Sequence, residues 1–232
     1  MSVITERAKK TSVVESGDIM RLCAGRRNGF INPYSYYVSK ALSPEVVPDN
    51  VFPDGIALVI LLRFLGIKAN RWSFDMTSMA PVVFEYARAN EQRVGFIGGS
   101  EVELNQFSSK VVQEYPGTIV SMAECGFGKT VDDYLEALKA SKPDIVIIGM
   151  GAPLQDEVMA ELYKYYPATY FTCGGFITQS SKGLNYYPLW VDKLNIRFLY
   201  RAFKESHYRK RLLLYPYACM LFFKDSLLGG RS

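Results

Sequence analysis

The chain has 232 residues, 49% of them hydrophobic, with 27 Lys and Arg against 23 Asp and Glu and a formal net charge of +4 at pH 7. That is enough apolar material for one sizeable α/β core with a small appendage, and too little excess charge to indicate a nucleic-acid partner. The four cysteines, Cys23, Cys125, Cys173 and Cys219, form no C-x-x-C pair, so neither a zinc site nor a disulfide framework is expected and the thiols read as reduced.

The opening MSVITERAKKTSVVESGD is polar and charged where a secretory signal needs an apolar core, so export by that route is not expected. Through the first ninety residues the periodicity is weak. GFIN (29–32) followed by PYSYYVSKAL (33–42) reads as a strand and a helix, and NVFPDG (50–55) as the end of a strand. IALVILLRFLGI (56–67) is apolar apart from Arg63. It is too short for a bilayer, which takes ~20 residues to cross, so it is expected to be buried in protein or to lie in an interface.

From about residue 92 the pattern becomes regular. RVGFIGG (93–99), TIVSMAE (118–124), DIVIIGM (144–150) and TYFTCGG (169–175) read as strands. Between them SEVELNQFSSKVVQEY (100–115), TVDDYLEALKAS (130–141) and LQDEVMAELYKYY (154–166) read as amphipathic helices. Continuous β-branched runs alternating with such helices predict an α/β, Rossmann-like, mostly parallel sheet with helices on both faces.

After Pro188 the alternation stops. DKLNIRFLYRAFKESHYRKRLLLY (192–215) reads as a basic amphipathic helix in which Arg197, Arg201, Lys204, Tyr208 and Arg211 form one stripe and Ile196, Leu199 and Phe203 another face. Such a stripe is either a solvated face or, beside the apolar LLLYPYACMLFF (212–223), a membrane-facing one. Pro216 must begin or bend any helix formed there. The chain thus divides into a core, 1–191, and a helical, membrane-associating C-terminal appendage, 192–232. His207, the only histidine, sits in the charged stretch and reads as exposed.

Ligands of open parallel sheets bind outside the carboxyl ends of the strands. Four glycine-bearing strand ends occupy such positions: PDG (53–55), GGSE (98–101), GMGAPLQ (149–155) and CGGF (173–176). Glycine permits sharp turns and close approach of a ligand to backbone N–H groups, and the helix N-terminus that follows favours an anion. No G-x-G-x-x-G fingerprint and no complete G-x-x-x-x-G-K-[ST] loop is present; the missing fingerprint weakens a dinucleotide-dependent oxidoreductase as the rival reading. Asp54, between Pro53 and Gly55, reads either as a general base or as a turn residue or N-cap of the helix behind it.

These segments resemble, in composition and in order, the WecG/TagA/CpsF family of bacterial glycosyltransferases. The resemblance rests on PDG (53–55), VGFIGGSE (94–101), CGFG (125–128), IVIIGMGAPLQDE (145–157), CGGF (173–176) and the tail bearing Arg201, and spans roughly residues 28–211. It implies inverting, metal-independent transfer of a sugar from a UDP-sugar donor to a polyprenyl-diphosphate-linked saccharide acceptor, with no cofactor. Such transfer takes place at the cytoplasmic membrane surface by a peripheral enzyme of surface-polysaccharide synthesis.

By the same resemblance Asp54 is the base, and Asn32, Arg71 of NRWSFD and Gln155 fall on motif positions. Arg201 and Arg211 are the cations expected at the diphosphate, and Gly98, Gly99, Gly149, Gly151, Gly174 and Gly175 are the expected substrate-binding glycines. In GMGAPLQDE, Gly149 and Gly151 are expected to give backbone access, Gln155 to orient hydroxyl or amide groups, and Asp156 and Glu157 to favour the helix dipole. The chain has no D-x-D, and the adjacent Asp132 and Asp133 cannot converge on a cation. Phe30 stands where the family pattern has threonine, and Thr178 where it has an acid. Those two departures keep a non-catalytic nucleotide- or polyprenyl-phosphate-binding scaffold as the alternative.

Overall fold

The computed structural model describes residues 2–183, Pro188, Val191, Tyr200, Phe203 and residues 206–228. Among them a six-stranded sheet is built from β1 (Arg27–Ile31), β2 (Asn50–Pro53), β3 (Arg93–Gly98), β4 (Ile119–Glu124), β5 (Ile145–Gly149) and β6 (Thr169–Thr172). The spatial order is β2-β1-β6-β5-β3-β4, and every pairing is parallel. All six strands fall on the segments read as strands in the sequence.

The helices are α1 (Val3–Thr11), α2 (Ile19–Cys23), α3 (Pro33–Ser39), α4 (Ile56–Phe64), α5 (Met79–Ala89), α6 (Glu101–Glu114), α7 (Val131–Ser141), α8 (Leu154–Tyr165), α9 (Phe176–Ser180), α10 (Ser206–Leu212) and α11 (Tyr215–Leu228). Side chains fix several starts. Asn32 with Ser35, Ser100 with Glu103 and Thr130 with Asp133 form capping boxes at α3, α6 and α7, each pairing donors that a helix start otherwise leaves open. Asp133 is thereby a cap.

Both faces of the sheet are covered, and the strands show it residue by residue. Ile145 and Ile147 of β5 pack with Phe84, Phe96 and Phe107 on one side, while Val146 and Ile148 pack with Tyr134, Leu138, Met159 and Leu162 on the other. This period-2 division of an all-apolar run is what burial on two faces requires. A third cluster joins Ile31, Val51, Tyr36, Leu58 and Leu62 to Ile4 and Ala8 of α1 and to Phe222 of α11.

The C-terminal segment departs from one long helix. The helix ends at Leu212, residues 213 and 214 turn, and α11 starts with Pro216 in its first turn. Pro216 has no N–H to donate and its ring would crowd the carbonyl of Leu212, whereas a first-turn position needs no such donor. The described part of the expected appendage also packs inward: Phe222 meets Tyr36 edge-on at 5.0 Å between ring centroids, Lys40 pairs with Asp225 at 2.7 Å, and Lys9 Nζ donates to the Ser226 carbonyl at 2.6 Å. Tyr36 also donates its hydroxyl to Asp225. Among the described residues no helix is long and apolar enough to cross a membrane.

Candidate active site

A cavity of about 680 Å³ opens at the carboxyl ends of β2, β1, β6 and β5. Those four strands are neighbours in the sheet, so loops far apart in sequence converge there. Asn32, Asp54, Arg71, Gly151, Gln155, Gly174, Gly175 and Arg211 all line it. Gly98, Gly99 and Gly149 do not figure in its wall. Arg201 lies outside the described residues, as do Arg197 and Lys204 of the expected stripe.

Gly98 and Gly149 are explained by packing between strands. They are register partners of β3 and β5, and a Cβ on Gly98, whose φ is +138°, would stand 2.3 Å from the Gly149 carbonyl oxygen. Gly98 thus lets the ends of β3 and β5 close on each other, and Gly149 lets the β6–α9 turn approach, since a Cβ on it would stand 2.9 Å from Cys173 Sγ and 3.0 Å from the Gly174 carbonyl oxygen. Gly151 differs: its φ is +79° and nothing lies within 4 Å of where its Cβ would be, so its freedom serves the turn that faces the cavity.

Asp54 leaves β2 with its N–H donated to the Ile31 carbonyl at 2.6 Å. The N-cap of α4 is Gly55, and no side chain caps that helix, so Asp54 is not the helix cap that its position in the sequence also allowed. Its Oδ1 stands 3.9 Å from Arg71 Nε, an ionic contact beyond hydrogen-bond range. Arg71 gives its hydrogen bond to Asp75 instead, at 3.1 Å, and Asp75 also accepts from Ser73 Oγ and from the N–H and hydroxyl of Thr77. A guanidinium is thus anchored by one carboxylate within reach of a second that is one-third exposed.

Asn32 and Gln155 hold the backbone as well as facing the cavity. Asn32 Oδ1 accepts from the Ser35 N–H at 3.0 Å. Gln155, 4% exposed, accepts from the Gly151 N–H at 3.1 Å and the Gly174 N–H at 3.0 Å through the same Oε1. One amide oxygen therefore ties the β5–α8 loop to the β6–α9 loop, and the side chain's capacity toward a ligand is that of its NH2 donor. The next residue, Asp156, is buried, with Ser39 Oγ donating to it at 3.3 Å. Burial pushes its carboxyl up to about 7, against the opposing pull of that hydrogen bond, so it stands in the first turn of α8 as expected, but as a packed acid. Cys173 also lines the cavity; burial pushes its thiol up to about 12, away from nucleophilic use.

The floor is aromatic. Phe30 stacks on Phe52 at 5.4 Å and meets Phe74 edge-on at 5.8 Å, and Phe74 meets Phe176 at 5.6 Å. Phe30 thus fills the threonine position of the family pattern with packed surface. Thr178 donates its hydroxyl toward Glu103 at 3.4 Å; an acid there would set two carboxylates side by side.

Reading the sequence did not single out Ser73, Asp75, Tyr34 or the residues of α11 as cavity walls. Asp75 had a signal, since it lies four residues from Arg71, whereas nothing in LLLYPYACMLFF shows which side chains turn inward.

The sequence profile described as "Glycosyl transferase WecG/TagA/CpsF family" matches residues 46–231. The chain belongs to that family. It is a glycosyltransferase. It is 33% identical over 204 residues, 86% of each chain, to the UDP-Gal:alpha-D-GlcNAc-diphosphoundecaprenol beta-1,4-galactosyltransferase of Shigella boydii. It is 21% identical over 178 residues, 75% of this chain and 68% of the other, to the N-acetylglucosaminyldiphosphoundecaprenol N-acetyl-beta-D-mannosaminyltransferase of Bacillus subtilis. A Staphylococcus aureus enzyme of the latter name is 24% identical over 120 residues, about half of each chain.

Proposed function

We propose that this glycosyltransferase moves a hexose or N-acetylhexosamine-type sugar from a UDP-sugar to a polyprenyl-diphosphate-linked saccharide, with inversion and without a metal ion, in the making of a surface polysaccharide. The observation that carries the reading is the pairing of an accessible Asp54 with an anchored Arg71 in a cavity that also takes in Arg211. UDP-galactose is the first donor to test, because the Shigella boydii relative is named for it.

In the proposed step an acceptor hydroxyl oxygen attacks the anomeric carbon from the face opposite the diphosphate. Its proton passes to the Asp54 carboxylate as the new C–O bond forms. The bond from the anomeric carbon to the diphosphate oxygen breaks, and UDP leaves with the electron pair. Cationic forks at Arg71 and Arg211, and Arg201 from the tail, oppose the charge that develops on the leaving group. The loops at Gly151, Gly174 and Gly175 line the donor side with the Gln155 NH2, the Gly151 and Gly174 N–H groups being held by Gln155 Oε1. The acceptor places the reaction at the cytoplasmic face of the membrane, where exposed Arg209 and Lys210 of α10 and the exposed Leu213 and Met220 meet headgroups and acyl chains as a peripheral contact.

The test is transfer itself. The protein is incubated with a panel of UDP-sugars and a GlcNAc-diphosphate-lipid, and UDP release and product mass are read with and without excess chelator. Product formed from one UDP-sugar and unaffected by chelator supports the proposal. Activity lost in chelator and restored by magnesium or manganese removes its metal-free part, and absence of product with every donor removes the whole.

A further inference from the structure

We infer that the outer face of α4, together with the start of α11, forms the channel for the first isoprene units of the acceptor lipid; this rests on the acceptor proposed above. The helix IALVILLRF is apolar on both sides. Leu58, Val59 and Leu62 are fully buried in the core, which accounts for one side only. Ile56, Ile60 and Phe64, spaced four apart, run along the other. Ile56 and Ile60 line the cavity, and the stripe continues outward with rising exposure, Ile60 at 43% and Phe64 at 80%. A soluble fold gains nothing by placing such a stripe in water.

Facing it, α11 packs alongside α4 and gives Tyr215, Pro216 and Cys219 to the same cavity, with Met220 58% exposed beyond them. Charge fixes which apolar molecule fits. Two cations face the inner end of the stripe: Arg71, which lines the cavity beside Asp54, and Arg211, stacked on the Tyr34 ring at 4.8 Å and four residues before Tyr215. An occupant must therefore carry an anionic group at the inner end and hydrocarbon along the outer run, which is the layout of a polyprenyl diphosphate. From Ile56 to Phe64 the helix rises about 12 Å, room for a few isoprene units. The channel thus reads the chain nearest the diphosphate and directs the remainder toward the bilayer.

The test compares acceptors with one GlcNAc-diphosphate head and tails of one or of four isoprene units, dispersed in detergent without a bilayer. For the unaltered protein the longer tail is expected to lower KM roughly 10-fold or more, from the added apolar contact. The double substitution Ile60→Ser, Phe64→Ser is expected to abolish that advantage, bringing the KM of the long-tailed acceptor to that of the short one, and Ile60→Leu, Phe64→Leu to restore it. Both positions lie off the core face, and thermal unfolding checks that the serine variant is folded. Equal KM for the two tails in the unaltered protein overturns the channel. So does a serine variant that keeps the long-tail advantage yet loses binding to acceptor-free anionic vesicles, which would make the stripe a bilayer contact. Absence of transfer to either acceptor by the unaltered protein refutes the acceptor assignment and the channel with it.

Discussion

Gln155 offers a test in which local folding and ligand contact separate. Its Oε1 accepts two backbone N–H groups, from Gly151 and Gly174, at a site 4% exposed. Gln155→Ala leaves both donors without that partner. Each unmet buried donor costs roughly 1–3 kcal/mol; cavity water can reach this edge, so a total of about 2–4 kcal/mol is expected. For a chain of this size that corresponds to a fall in Tm of roughly 5–15 °C, with a raised donor KM because two cavity loops lose their tie. Gln155→Glu keeps an oxygen acceptor at the first turn of α8 and removes the NH2 donor. It is expected to hold most of the stability while still weakening donor use, if the NH2 contacts the donor. Calorimetric unfolding, with donor KM and UDP binding by titration, reads both variants. An alanine variant with unchanged Tm and donor KM would refute the clamp, and a glutamate variant with normal donor kinetics would refute the NH2 contact.

Asp54→Asn retains size and polarity and removes the proton acceptor, so kcat is expected to fall ~10²–10⁴-fold with little change in UDP binding; near-normal turnover would place the base elsewhere. Asp156 has a folded-state pKa raised to about 7, chiefly by burial. Between about pH 4 and 7 the folded chain holds that proton and the unfolded chain does not, so this group's contribution to stability declines as pH rises and is flat above about 7. Asp156→Asn removes the decline and is expected to raise stability at pH 8 by about 2–4 kcal/mol, with no gain near pH 4; a gain of equal size at both pH values would contradict the assignment. Phe222→Ala, in a fully buried position on α11, is expected to cost about 3–5 kcal/mol in denaturant unfolding. A cost below about 1 kcal/mol would mean that α11 is dispensable to the core.

The strand order was not readable from the chain, but the strands were. IVIIG, TYFT and RVGFIG announce themselves because a strand buried on both faces reads as a near-continuous apolar or β-branched run, and the intervening helices carry capping residues at fixed offsets. MAPVVFEYARA, by contrast, is a helix, α5, that lies among weakly periodic residues and was not recognised. The N-terminal helices α1 and α2 were not recognised either: α1 is mostly polar, its buried side made of Ile4, Thr5, Ala8 and Thr11, and α2 is only five residues long.

At the site the division runs along the same line. PDG, GMGAPLQ and CGGF stand out in sequence because turns at strand ends need glycine and proline, and any parallel sheet brings such ends to one edge. Which glycines face a ligand depends on neighbours distant in the chain: Gly98 is required by the close approach of Gly149 on β5 and Gly149 by that of Cys173 and Gly174, whereas Gly151 opens on the cavity. Likewise the sequence shows Asp54, Arg71 and Gln155 as candidates by residue type. Only the fold decides that Arg71 is anchored by Asp75 at 3.1 Å and left 3.9 Å from Asp54, and that one amide oxygen spans two loops. Local sequence fixes periodicity, caps and turns because those forces act within a few residues. Distances between loop ends, and the exposure of one side of α4 with burial of the other, are set by how the sheet stacks its strands, which no short stretch of chain encodes.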